Sequence, residues 1–274
     1  IKGIKDLYII DSSTITLFSE ILRSAGRNPA NGKRKGGVKV HTMINALEDV
    51  PSLVRMTSSA TNDQMFLKDI QLQKGSFVVF DKGYPNFDKY YQWDLDGIYF
   101  VTRQHENAVY EEICEYELED STPDTILKDE EIKIGLTNKP FIVRRVVFWH
   151  EEHQKAYVYI TNNFEQKPET IAEIYRRRWQ IEVLFRRLKQ NFPLKYFLGD
   201  NQNAIEIQIW VSLIIQLIML VINKHADKWS FTNMVSIIRF HLMSYIDLMK
   251  FLKNPEGKWD NLKTIDTNQL MLFQ

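Results

Sequence analysis

Residues 170–191, TIAEIYRRRWQIEVLFRRLKQN, carry two stripes at helical spacing, and the fold has to be built around them. Tyr175, Arg178, Glu182 and Lys189 follow one another at intervals of three, four and seven residues. At about 100° per residue, all four fall within a sector of about 60° on one helix. Ile174, Ile181, Leu184 and Leu188 form an adjoining apolar stripe that can hold the helix against a core. A carboxylate flanked by two cations and a phenol suits a site that binds a metal ion beside a phosphate. The same spacing also suits plain surface ion pairs. Arg178–Glu182 and Glu182–Arg186, both at i,i+4, would then contribute about 0.3–0.5 kcal/mol each. What decides between the two readings lies elsewhere in the chain.

Two apolar runs stop at an aspartate. Residues 7–10 lead into Asp11, followed by Ser12, Ser13 and Thr14. Residues 76–80 lead into Asp81, followed by Lys82, Gly83 and Tyr84. Each reads as a buried strand that delivers an acid at its carboxyl end. Taken singly, Asp11 is equally a cap and Asp81 a turn residue. Asp6, Asp88, Asp94 and Asp96 are weaker candidates because none of them ends an apolar strand. Together with Glu182, the two aspartates make a three-carboxylate set. Hard cations such as Mg²⁺ or Mn²⁺ take oxygen ligands, and two of them about 3.5–4 Å apart clamp an in-line phosphoryl displacement. In such a site Asp11 is expected to bridge both ions, with Asp81 on one and Glu182 on the other.

The intervening chain reads as mixed α/β. Strands are expected over 38–47 and 53–60, forming a meander with the first. Lys39, His41 and Met43 share one face of the second strand, with His41 a hydrogen-bonded structural residue. Helices are expected over 62–72 and 86–93, the latter opening after Pro85, and a strand over 98–102. From 104 to 161 the texture changes to β-rich runs at 108–118, 131–136, 141–149 and 155–160. Helices follow over 204–227 and 231–251. The predicted organisation is therefore a core part over 1–103, an inserted antiparallel β unit over 104–165, and a helical second part over 166–274.

Charge and composition narrow the partners. The formal net charge is zero, so any nucleic-acid contact has to come from local basic patches. Candidates are Lys33, Arg34 and Lys35 in the loop-like segment 23–37, and the run 176–178. A single cysteine, Cys114, excludes an intramolecular disulfide and a multi-cysteine zinc site, and points to a reducing, cytoplasmic setting. The apolar stretch 205–222 is interrupted by Glu206, Gln208 and Gln216, and is expected to be a helix buried on most sides rather than a membrane span. No signal-peptide pattern is read at the start, and an opening at Ile1 suggests a chain with something missing upstream.

The pattern Tyr175-x2-Arg178-x3-Glu182-x6-Lys189 resembles the signature of DDE transposases of bacterial insertion sequences, in the branch named after insertion sequence four. YIIDSST around Asp11 and VVFDKGY around Asp81 resemble the family's other two motifs, in the same order. The resemblance implies a ribonuclease H-like fold with a central mixed sheet, flanking helices and a β insertion before the glutamate. It implies cleavage at transposon ends and transfer of the freed 3′-hydroxyl into target DNA, with Asp11, Asp81 and Glu182 catalytic and binding two Mg²⁺ or Mn²⁺ ions. It further implies that Tyr175, Arg178 and Lys189 contact DNA phosphates, that Trp149 is a candidate for stacking on a base, and that the protein acts as a homodimer on paired ends beside the nucleoid. Family members usually carry an amino-terminal region that recognises terminal repeats, and this sequence shows none. Two other readings compete. A haloacid-dehalogenase-like phosphotransferase with Asp11 as nucleophile wants an aspartate two positions on, where Ser13 stands. A degenerate or domesticated transposase would bind DNA without cutting it.

Overall fold

The computed structural model describes residues 3–17, 36–135, 139–192, 194, 196–226, 229–243 and 247–254. By contact density the chain divides into two units, residues 1–186 with 194–206, and residues 187–193 with 207–274.

The first unit is built on one nine-stranded sheet in the order β3-β2-β1-β4-β5-β9-β8-β7-β6. β1 (Leu7–Thr16), β2 (Gly37–Asn45) and β3 (Val50–Ser58) form an antiparallel meander. β4 (Phe77–Phe80) and β5 (Tyr99–Arg103) run parallel to β1. Between them α1 (Phe87–Leu95) makes the crossover that a parallel pair requires, capped at its start by the Asn86 side chain. The expected helix over 62–72 is a 3₁₀ helix, Asp63–Asp69, capped by Asn62.

The β-rich run does not form a separate unit. β6 (Glu111–Glu115), β7 (Ile126–Ile134), β8 (Phe141–His150) and β9 (Lys155–Thr161) extend the same sheet, because β9 pairs antiparallel with β5. The first of these strands is shorter than the expected 108–118, and every residue of β6 is exposed at the sheet edge.

Alternation along the strands sorts their side chains to two faces. Ile10, Val78, Phe80, Phe100 and Ile160 face an aromatic core with Phe66, Tyr90 and Trp93, supplied by the 3₁₀ helix and α1. Phe80, Tyr90, Trp93 and Phe100 pack with ring centroids 4.8–6.4 Å apart. The next residue on β1 and the residue just past β4 therefore point to the other face. That face carries α2 (Pro168–Arg176), whose Ile171 and Ile174 are fully buried. Pro168 opens α2 where an unpaired N–H would otherwise stand. This is the mixed sheet, helix-flanked and strand-extended before Glu182, that the ribonuclease H-like expectation requires.

The second unit is helical. It takes in most of α4 (Gln202–His225), with α5 (Phe231–His241) and α6 (Leu248–Lys253). The single helix expected over 231–251 is thus two. Phe231, Met234, Val235 and Ile238 close on Leu252, and Trp229 Nε1 donates to the Leu252 carbonyl at 2.8 Å. The expectation that 205–222 is buried on most sides fails among the described residues. Just 28% of the most apolar window is buried, and Ile207, Trp210, Val211, Ile214, Ile218 and Val221 are exposed. α4 is one helix long and apolar enough to cross a membrane by length and composition.

Candidate active site

β1 and β4 lie side by side, and their last parallel pair is Ile10 with Phe80. The residues that follow are Asp11 and Asp81. The expected strand end holds for β4 but not for β1, which continues to Thr16 because β2 pairs with it along its whole length. The acid at position 11 is placed by the end of its neighbour, not by the end of its own strand. Both carboxylates are fixed locally: the Ser12 N–H donates to Asp11 Oδ1 at 2.7 Å, and the Lys82 N–H to Asp81 Oδ1 at 2.8 Å.

The expected single helix over 170–191 is interrupted. α2 ends at Arg176 and α3 (Trp179–Asn191) begins three residues on. Across the junction the backbone takes bonds of three-residue spacing, Arg178 N to Tyr175 O at 3.0 Å, Gln180 N to Arg177 O at 2.9 Å and Ile181 N to Arg178 O at 3.2 Å. This tighter winding sets Arg178 between the two helices. Its Nη1 lies 3.5 Å from Asp11 Oδ2, and its Nη2 donates to Glu182 Oε1. Tyr175 Oη donates to Asp81 Oδ1 at 3.3 Å, while its ring stacks on Tyr159 with centroids 4.6 Å apart. Asp11, Asp81, Glu182, Tyr175 and Arg178 thus meet in one place. The side chains of Asp11 and Glu182 keep 23% and 33% of their exposure, so the acids are shielded yet open to a ligand.

Crowding shows in the ionisation. Burial pushes the Asp11 carboxyl up to about 6; the Ser12 N–H and Arg178 pull it down, and Asp81 and Glu182 raise it further. Burial likewise lifts the Tyr175 phenol well above its ordinary value, so it stays a protonated donor.

Lys189 is exposed on α3, two turns beyond Glu182. Trp149 sits on β8 opposite Ala156, half-buried, and its backbone N–H donates to the Thr125 carbonyl at 2.7 Å. Lys33, Arg34 and Lys35 lie outside the described residues. Asp94 accepts from Asn162, and Asp88 pairs with Lys139.

Thr42 and Asp63 are neighbours of the site that the sequence does not mark, whereas His41 reads there as structural. Thr42 stands opposite Asp11 across β1 and β2, its hydroxyl buried with no hydrogen-bond partner among the described residues. On the reverse face Ser12 Oγ donates to Asp63 Oδ1 at 2.6 Å, and Lys39 Nζ donates to the Thr61 carbonyl and to Asp63. His41 is in that layer, hydrogen-bonded to Thr57 at 2.8 Å, with burial lowering its pKa to about 4. It is a neutral structural histidine. Pairing of Ser12 with His41 across the strands puts it on the face opposite Asp11.

Residues 2–218 match the family described as the Transposase DDE domain. The chain belongs to that family. It is similar to the putative transposase y4zB of Sinorhizobium fredii, 28% identical over 218 residues, which cover 78% of this chain and 60% of the relative. It is also similar to the probable transposase for insertion sequence element IS5377 of Geobacillus stearothermophilus, 26% identical over 211 residues, covering 77% and 55%. The chain therefore spans little more than half the length of these relatives. Among solved structures it is similar to a piggyBac transposase synaptic complex with hairpin DNA, at a TM-score of 0.48 and 10% identity, over 90% of this chain and 50% of that one.

DDE transposases use divalent metal ions, and the residues here fit such ions. Three carboxylates, all hard oxygen donors, converge beside the guanidinium of Arg178, a donor set that suits divalent cations.

Proposed function

We propose that this chain carries the catalytic part of an insertion-sequence transposase of the branch named after insertion sequence four. In this reading it cleaves DNA at the element's ends and joins the freed 3′-hydroxyl to target DNA. The observation that carries the reading is the convergence of Asp11, Asp81 and Glu182, drawn from three separate segments, on Arg178 and Tyr175. Asp11, Asp81 and Glu182 are the residues that would hold two Mg²⁺ or Mn²⁺ ions, which when bound neutralise the phosphate and activate the attacking oxygen.

The remaining side chains orient and bind. Tyr175 fixes the Asp81 carboxylate through its phenol and is itself held by the stack on Tyr159. Arg178 balances Asp11 and Glu182 now, and its fork of donors is suited to phosphate oxygens once it turns from Glu182. Lys189 and Trp149 are proposed as further DNA contacts, and action as a homodimer on paired ends belongs to the same proposal.

The test is a nicking and strand-joining assay with Mg²⁺ or Mn²⁺ on duplex DNA bearing the element's end, comparing the chain with Glu182→Ala. Metal-dependent cutting and joining that the substitution abolishes, with folding intact, supports the reading. Activity that survives Glu182→Ala removes Glu182 from the site. Binding without any cutting would favour a DNA-binding relic.

A further inference from the structure

A second group of metal-type ligands stands away from the three carboxylates, at the turn joining β8 to β9. His150 ends β8, and Glu152 and His153 lie in the turn. One ligand atom from each lies within 4.8 Å of the others. The two imidazoles are stacked, with centroids 4.0 Å apart and planes 9° from parallel. We propose that this turn is a binding site for a borderline divalent ion such as Zn²⁺ or Ni²⁺, held by His150, Glu152 and His153 with water completing the shell.

The chemistry selects the ion class. Two imidazoles and one carboxylate are a donor set for Zn²⁺, Ni²⁺ or Cu²⁺, whereas Mg²⁺ keeps to oxygen ligands. Around a tetrahedral ion with bonds of about 2.1 Å, neighbouring ligand atoms stand about 3.4 Å apart. Closing from 4.8 Å to that spacing takes a movement of about 1 Å and a turn of one imidazole out of the parallel stack, so that both lone pairs meet at the ion; Glu152 and His153 are exposed, with room to make it. His153 is already oriented, since its Nδ1 is hydrogen-bonded to the Tyr157 hydroxyl at 2.8 Å. With Nδ1 as donor the lone pair sits on Nε2, the arrangement that an outer partner imposes on a metal-bound histidine. The rings of His150 and His153 both stand edge-on to Tyr157, at 5.7 and 5.9 Å, which sets the pair beside β9. The bond from the His153 backbone N–H to His150 Nδ1 is long, 3.3 Å, and weak enough to give way as the His150 ring turns. A bound ion would lock the turn that follows Trp149.

The experiment is a Zn²⁺ titration of the whole chain in millimolar Mg²⁺, which loads the oxygen site, followed by Co²⁺ substitution to read imidazole ligation from the visible spectrum. The expected result is one equivalent of Zn²⁺ bound by the unmodified chain and by Asp81→Asn. His153→Ala should weaken it at least ten-fold, and Tyr157→Phe about ten-fold through loss of the outer hydrogen bond. Absence of Zn²⁺ binding, or binding that persists in His153→Ala and disappears in Asp81→Asn, overturns the proposal. Because the readout is metal binding and not DNA cleavage, it stands or falls separately from the transposase reading.

Discussion

Asp11 carries its charge at a cost. With its pKa raised to about 6 in the folded chain, it holds a proton between about pH 4 and 6 that the unfolded chain has already released. The folded state binds more protons in that window, so stability falls as pH rises through it and the full cost is present above it. A shift of this kind costs about 1.4 kcal/mol per pH unit. In chelator, Asp11→Asn is therefore expected to stabilise the chain by about 2 kcal/mol at pH 7.5 and by little at pH 3.5, where the wild-type acid is protonated. Urea denaturation at the two pH values checks this, and an asparagine variant no more stable at pH 7.5 contradicts it. Tyr175→Phe separates the two roles of that ring. The stack on Tyr159 is kept while the donor to Asp81 is lost. Cleavage should fall about ten-fold while stability changes by less than about 1 kcal/mol; an unchanged rate in the same assay would deny the phenol a role. At this scale the sequence revealed the acids, because an apolar run that stops at a charge is visible locally. It could not reveal Thr42, Asp63 or Tyr159, whose nearness depends on strand register with β2, the 3₁₀ helix and β9.

At the scale of elements, helical periodicity marked four side chains, of which three are seen to converge, and it was a poor guide to how they do so. Tyr175, Arg178 and Glu182 do meet, but across a junction that no glycine or proline announces. The β-rich insertion was legible as strands, while its fusion to β5 was not, because edge pairing leaves no composition signal. One side chain adds to the backbone pairing of that fusion. Asn162, at the end of β9, accepts from the Phe100 N–H at 2.8 Å and donates to the Ile98 carbonyl at 2.9 Å and to Asp94 at 3.0 Å. It ties β9 to β5 and to the end of α1. Asn162→Ala would leave a fully buried strand N–H and a carbonyl unpaired, at a cost of about 2–3 kcal/mol. Equilibrium urea unfolding should show the unfolding free energy fall by that amount and the midpoint move down with it. A change below about 0.5 kcal/mol would mean that the strand pairing holds without it.

For the whole molecule, the exposure of α4 shows what hydropathy leaves open. Composition identified an apolar helix, but apolarity does not decide how much of such a helix is buried. The carboxylate site, by contrast, is assembled wholly within the first unit, so its occupancy is coupled to the folding of that unit. An ion that binds the folded chain alone stabilises it by about 2.7 kcal/mol at one hundred times its dissociation constant. In a unit of this size that raises the melting temperature by about 5–10 °C. Mn²⁺ should produce such a rise in the unmodified chain, and Asp81→Asn should abolish most of it. Asp11→Asn gives the sharper test, because two effects with opposite consequences fall on one side chain. Without Mn²⁺ the variant should melt higher than the parent, since a costly charge has gone. With saturating Mn²⁺ the order should reverse, because the parent gains the ion and the variant cannot. Calorimetry of both chains with and without Mn²⁺ reads this crossing directly. Parallel shifts in the two proteins would place the ion elsewhere, whereas a crossing means that the acid that burdens the empty fold is one that holds the metal.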